Sequence, residues 1–145
     1  MRAVLQRVSR ARVTVDGTAV AAIGPGVCVF LGVAAEDDES VAERLAGRVA
    51  RLRIFENEAG RFDRSILETS GEALVVSQFT LIADTAKGSR PSFSRAARSE
   101  QAEPVYEYFC AALRAEGVPV RTGVFGARMS VELANDGPVT IVLDG

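Results

Sequence analysis

The run Val27-Cys28-Val29-Phe30-Leu31-Gly32-Val33 is apolar with no alternation, and it constrains the fold more than any other segment. A strand with one face in water alternates with period two, so an unbroken run of this length needs cover on both faces of its sheet. Its neighbours say what the sheet is made of. Ala3 to Val8, Ala11 to Val15 and Thr18 to Ile23 read as strands, Asp16-Gly17 is a hairpin dipeptide, and Gly24-Pro25-Gly26 is a second turn. The chain therefore starts as a β-meander that leads into a central strand.

Helices supply the cover. Acidic Glu36 to Glu39 followed by Ser40 suit the positive end of a helix dipole, and Val41, Leu45, Val49 and Leu52 recur at helical spacing. Arg44, Arg48 and Arg51 read as the solvated face of that helix. A second helix is predicted over Ala102 to Glu116, with Val105, Phe109, Ala112 and Leu113 on one face and Gly117 as its stop. Ile54-Phe55 and Arg61-Phe62 flank the turn-forming Glu56 to Gly60, as in a short hairpin or Ω-loop. Leu74 to Val76, Val118 to Thr122, Met129 to Leu133 and Val139 to Leu143 complete a strand-rich remainder. With 145 residues, 48% hydrophobic and 25% charged, the expectation is one mixed α/β domain over residues 1–145, two helices packed on curved sheet.

No window reaches the roughly 18 consecutive apolar residues of a membrane span. Arg2 and Arg7 break the N-terminal apolar run too early for a signal peptide, so a cytoplasmic protein without a membrane segment is expected. Cys28 lies in the central strand and Cys110 in the second helix, which predicts two buried free thiols and neither a disulfide nor a metal pair.

Histidine is absent, and that removes whole mechanisms. A Ser-His-Asp or Cys-His apparatus cannot be built within the chain, nor can a histidine-ligated zinc site. Hydrolysis here would need backbone oxyanion stabilisation, a carboxylate or terminal-amine base, an unconventionally activated hydroxyl, or a group carried by the substrate. The reading calls for neither metal nor cofactor.

The net charge of −2 argues against a protein that coats nucleic acid through a basic face. Between Asp84 and Arg98, however, Lys87, Arg90, Arg95 and Arg98 outnumber a single acid in an irregular loop. That loop is either solvated or a contact for phosphate oxygens.

Two stretches stand out from the core pattern. Ser77-Gln78-Phe79-Thr80-Leu81 follows a strand's C-terminal end, where α/β proteins place ligands. Without a histidine partner, Ser77 and Thr80 are poor nucleophiles; the N–H groups of Phe79 and Thr80 could hold an oxyanion while Gln78 fixes the strand end, or the stretch is purely structural. Asn135-Asp136-Gly137-Pro138-Val139-Thr140 places a Gly-Pro pair between two strand-like runs. It reads either as a plain hairpin turn or as a rigid loop that presents backbone carbonyls, and the isomer of the Gly-Pro bond is not fixed by sequence.

Together these two stretches resemble the signature motifs of the D-aminoacyl-tRNA deacylases, and the likeness runs the length of the chain. Leu5-Gln6-Arg7-Val8, Arg53-Ile54-Phe55, Gly88-Ser89-Arg90-Pro91-Ser92-Phe93 and Phe125-Gly126-Ala127 also look like family positions. Phe62-Asp63 departs from the pattern, since relatives usually carry Met-Asn there. The resemblance implies a three-layer α/β/β fold and an enzyme that hydrolyses the ester of D-aminoacyl-tRNA, and of glycine mischarged on alanine tRNA. It implies a homodimer whose pocket is completed across the interface and receives the 3′ end of aminoacyl-tRNA. Gly137 and Pro138, with a cis peptide bond, would exclude L side chains, and Arg7 would hold their loop. Phe79 would donate its N–H to the oxyanion, with Ser77, Gln78 and Thr80 forming the pocket and a ribose hydroxyl of the substrate assisting water.

Two other classes stay open on the sequence: a metal-free small-molecule hydrolase or isomerase, and a non-catalytic RNA-end binding module centred on Lys87, Arg90, Arg95 and Arg98.

Overall fold

The computed structural model describes residues 1–145. In chain order it contains β1 (Arg2–Val15), β2 (Thr18–Ile23), β3 (Gly26–Gly32), α1 (Glu39–Arg51), β4 (Phe55–Glu56), β5 (Phe62–Arg64), β6 (Glu72–Ser77), a 3₁₀ turn (Phe79–Ile82), α2 (Ser99–Ala115), β7 (Val120–Thr122) and β8 (Ser130–Asp144). The main sheet runs β2-β1-β3-β6-β7, with β8 paired to β1, and β4-β5 form a small separate hairpin.

The apolar run is the central strand. β3 pairs antiparallel with the first half of β1 (Leu5 to Val29) and parallel with β6 (Val29 to Val75). Val27, Val29 and Leu31 face one hydrophobic cluster together with α1, α2, Ala73 and Val75. Cys28 faces a second, smaller cluster with Leu74, Val76, Val8, Ala11, Val13, Ala21 and Ile23. Both faces of β3 are thus covered over most of its length, and Phe30 is left half-buried.

Three layers follow from the length of β1. Its residues Arg2 to Val8 pair with β3, whereas Ala11 to Val15 pair with β2, so one strand leaves the central sheet and folds over it. β8 follows β1 along its whole length. The order is helices, central sheet, folded-over sheet, which is the α/β/β arrangement.

The sequence placed two strands in each of these regions. In β1 the exposed pair Ser9-Arg10 interrupts the apolar pattern, and the β1–β8 register shifts there, so a bulge within one strand looks like a break between two. Asp16 and Gly17 form the predicted hairpin, both with positive φ (49° and 78°).

α1 begins on Glu39, the last of the four acids. Asp38 is the N-cap, accepting from the Val41 N–H at 3.0 Å, and Ser40 Oγ donates to it at 2.8 Å. Asp37 turns inward instead: it is buried, accepts from the Ala34 N–H at 2.7 Å and pairs with the Met1 ammonium at 2.5 Å. α2 starts three residues ahead of the expected Ala102 and carries Pro104 on an exposed face. Leu45, Phe109 and Leu113 are fully buried between helices and sheet, and each such side chain contributes about 1.5–3 kcal/mol of transfer free energy. Both cysteines are free and buried.

Candidate active site

The Asn135–Thr140 stretch is not a turn between strands. Val8 pairs with Asn135 and Gln6 pairs with Thr140, so two steps along β1 span five along β8. The ladder closes again on both sides, and the four residues Asp136 to Val139 form a detour out of one continuous strand. The hairpin reading is thereby corrected. Local chemistry had suggested a reversal, but the strand keeps its direction because both flanks pair with the same partner.

Side chains account for the motif. Asn135 Oδ1 accepts from the Val139 N–H at 3.0 Å, and its Nδ2 donates to Thr140 Oγ1 at 3.2 Å, so one amide spans the neck of the detour. Gln6 Nε2 donates to the same hydroxyl at 3.3 Å. Gly137 has φ +133°, and a Cβ there would lie 2.8 Å from Val139 Cγ2 and 3.2 Å from Arg7 Nη2. The Gly137-Pro138 peptide bond is cis.

Arg7 sits opposite the detour, buried to 6% exposure. Its Nε donates to the Asp136 carbonyl at 3.0 Å and its Nη1 to the Ile54 carbonyl at 2.8 Å. Nη2 reaches Glu56 Oε1 at 3.4 Å, and the guanidinium carbon lies 5.5 Å from the centre of the Phe62 ring. Asp136 Oδ2 lies 3.7 Å from Nε, so the buried charge is met by two carbonyls, two carboxylates and one aromatic face. Sequence reasoning missed Glu56 and Phe62, because nothing local links residue 7 to a hairpin some fifty positions on; the only signal was the unusual Phe62-Asp63 pair.

The other motif ends β6. Ser77 pairs with Leu31, and the Gln78 N–H donates to the Leu31 carbonyl at 2.8 Å. A 3₁₀ turn follows at once, and the N–H groups of Phe79 and Thr80, first in the turn, have no acceptor within it. Gln78 Nε2 donates to Thr80 Oγ1, which ties the two side chains together. Phe79 is 55% exposed and meets Phe93 edge to face at 5.0 Å. Asp84 and Ser92 exchange backbone hydrogen bonds of 2.8 Å across the base of the loop that carries Lys87 and Arg90.

The two motifs lie apart. Arg7 pairs with Val27 and Ser77 with Leu31, four residues along β3, about 13 Å at strand rise. Within one chain, Arg7 and the detour flank the start of the central strand, and Ser77 to Thr80 flank its end.

Fold and site define a class first: a small α/β protein of the deacylase architecture. A solved structure described as "c-Myc DNA Unwinding Element Binding Protein" superposes with a TM-score of 0.95 at 44% identity, covering 100% of this chain and 99% of that one. A second, a probable eukaryotic D-amino acid tRNA deacylase, shares the fold at a TM-score of 0.85 and 19% identity, over 98% and 97% of the two chains. In sequence, D-aminoacyl-tRNA deacylases of Ruegeria pomeroyi and Thermomicrobium roseum are 59% and 61% identical over 99% of this chain, and over 99% and 94% of their own lengths. Residues 4–144 match the D-Tyr-tRNA(Tyr) deacylase family, and the chain belongs to it. It is therefore a hydrolase of the D-aminoacyl-tRNA deacylase class. No helix is long and apolar enough to cross a membrane.

Proposed function

We propose that the chain works as a homodimer in which Ser77 to Thr80 of one subunit and the Gly137-Pro138 detour of the other form one pocket. The observation that carries this reading is the separation of the two motifs along β3: a pocket that uses both needs a second copy, and a two-fold arrangement supplies it twice. The row Val142, Val4 and Phe30, cross-strand neighbours on one face of the central sheet, offers an apolar surface for that copy, with Val142 57% exposed.

In this pocket the 3′ end of aminoacyl-tRNA places its ester carbonyl against the Phe79 N–H. Water attacks the carbonyl carbon, the oxyanion is held by that N–H, and the ribose oxygen leaves with a proton, giving free amino acid and tRNA. With no histidine available, the neighbouring ribose hydroxyl assists the water. Gln78 and Thr80 shape the site and do not exchange protons. Gly137 and Pro138 occupy the space an L side chain would need, so rejection is by exclusion, while D side chains and glycine, including glycine on alanine tRNA, are accepted. Lys87, Arg90, Arg95 and Arg98 meet the phosphates of the acceptor end, and a tRNA substrate puts the protein in the cytoplasm.

The test is a paired time course with D-tyrosyl-tRNA and L-tyrosyl-tRNA at equal concentration, with chelator present. Rapid loss of the D ester alone is expected. Loss of both would remove the selector role, and slowed spontaneous loss of the D ester would favour a protecting RNA-end binding module.

A further inference from the structure

We propose that the β4–β5 hairpin positions the Gly137-Pro138 detour, and that Phe62 is the residue through which it acts on Arg7. Three of the five groups around the Arg7 guanidinium belong to this segment: the Ile54 carbonyl at 2.8 Å, Glu56 Oε1 at 3.4 Å and the Phe62 ring at 5.5 Å. The other two belong to Asp136 at the mouth of the detour, its carbonyl at 3.0 Å and its carboxylate Oδ2 at 3.7 Å. Arg7 Nη2 also lies 3.2 Å from the place a Gly137 Cβ would take, so the guanidinium backs directly onto the glycine. A tilt of the guanidinium plane therefore becomes a displacement of Asp136 and Gly137.

The carbonyls and carboxylates meet the guanidinium at its N–H groups, whereas Phe62 is the group against its face and so bears on its tilt. Phe62 is 53% exposed, so it is not held there by core packing. The hairpin beneath it is stiff for its size. Asn57 Oδ1 accepts from the N–H groups of Ala59 and Arg61 at 2.9 and 3.1 Å. Arg53 Nε donates to the Asp63 carbonyl at 2.6 Å, while its Nη2 grips the Asp63 carboxylate. Phe62 is thus a positioning residue that acts on the substrate through Arg7 and the detour, on the functional reading given above.

The experiment compares full-length Phe62→Leu and Phe62→Tyr with wild type. Single-turnover rates on D- and L-tyrosyl-tRNA are measured beside melting temperature and the NMR exchange rate of the Arg7 Nε proton. Phe62→Leu is expected to melt as wild type does, to keep its D rate within a few-fold and to lose roughly tenfold in D-to-L ratio, the scale of one cation–π contact. Its Arg7 Nε proton should exchange several-fold faster, and Phe62→Tyr should restore both readings. An unchanged ratio and exchange rate in Phe62→Leu, or a Tyr variant that behaves like Leu, would overturn the proposal. If wild type itself cleared both esters equally, the functional reading would fall, and the exchange rate would still decide whether Phe62 holds Arg7.

Discussion

Arg7 Nε donates to the Asp136 carbonyl at 3.0 Å across the larger of the two places where β1 and β8 fall out of step. The mismatch of two residues against five is bridged by this side chain and by Asn135, not by the ladder. Several consequences of that arrangement can be measured.

Arg7→Lys keeps the charge but loses the fork that reaches Asp136 and Ile54 together. One hydrogen bond from a buried cation is worth about 1.5–3 kcal/mol, so a lowered melting temperature is expected. A parallel fall in the D-to-L rate ratio should accompany it; a variant as stable and selective as wild type would contradict the anchoring role.

Gly137→Ala introduces a Cβ 2.8 Å from Val139 Cγ2 and 3.0 Å from the Val139 nitrogen, at φ +133°. The cost is about 1–3 kcal/mol of strain or a shifted detour. Denaturant unfolding should show the loss in stability, and L-tyrosyl-tRNA hydrolysis should rise above background.

Thr80→Ala removes the hydroxyl that Gln78 meets but leaves the backbone N–H of the 3₁₀ turn in place. Substantial single-turnover deacylation is expected to remain. A drop of three or more decades, about 4 kcal/mol of barrier, with Gly137 and Pro138 unmoved would instead make Thr80 a nucleophile.

Val142→Glu puts charge on a 57% exposed position of the central sheet. If that face receives a second copy, sedimentation should show monomers with an unchanged circular dichroism spectrum, and deacylation should fall with the dimer. Full activity in a monomer would exclude a shared pocket.

Burial pushes the Cys28 thiol up to about 12 and the Cys110 thiol up to about 11, from 9.0. Both thiols should resist alkylation at pH 8 until denaturant is added. A raised value in the folded state means stability that is complete below pH 9 and falls as pH rises towards 11 and 12, where the unfolded chain ionises and the folded one does not. At the acid end, hydrogen bonds from Ser40, Arg53 and Arg2 hold Asp38, Asp63 and Asp144 below 3.8. Their contribution is present above that value and is lost as pH falls beneath it, so the melting temperature should stay level from pH 7 to 5 and drop below about 4.

What sequence could reveal depended on the range of the interaction. Val27 to Val33, the Asp16-Gly17 hairpin and the face of α1 are written in adjacent residues, and each was legible. β1 and β8 were not, because a strand that changes layer or takes a detour is defined by its partner, and its local signals imitate an end. The signature motifs were recognisable as strings, yet their separation along β3 depends on the pairing of Arg7 with Val27 and of Ser77 with Leu31. The grip of Phe62 on Arg7 is further still from sequence, being a contact between an exposed ring and a buried charge.

A loop between two strands can swing about its ends, because the strands it joins are free to part. Asp136 to Val139 are anchored differently: both ends are stitched into one ladder with the same partner, and a buried cation sits behind them. Discrimination by shape needs a wall that resists the wrong guest, and on the function proposed above a kink within a single strand would build one from four residues.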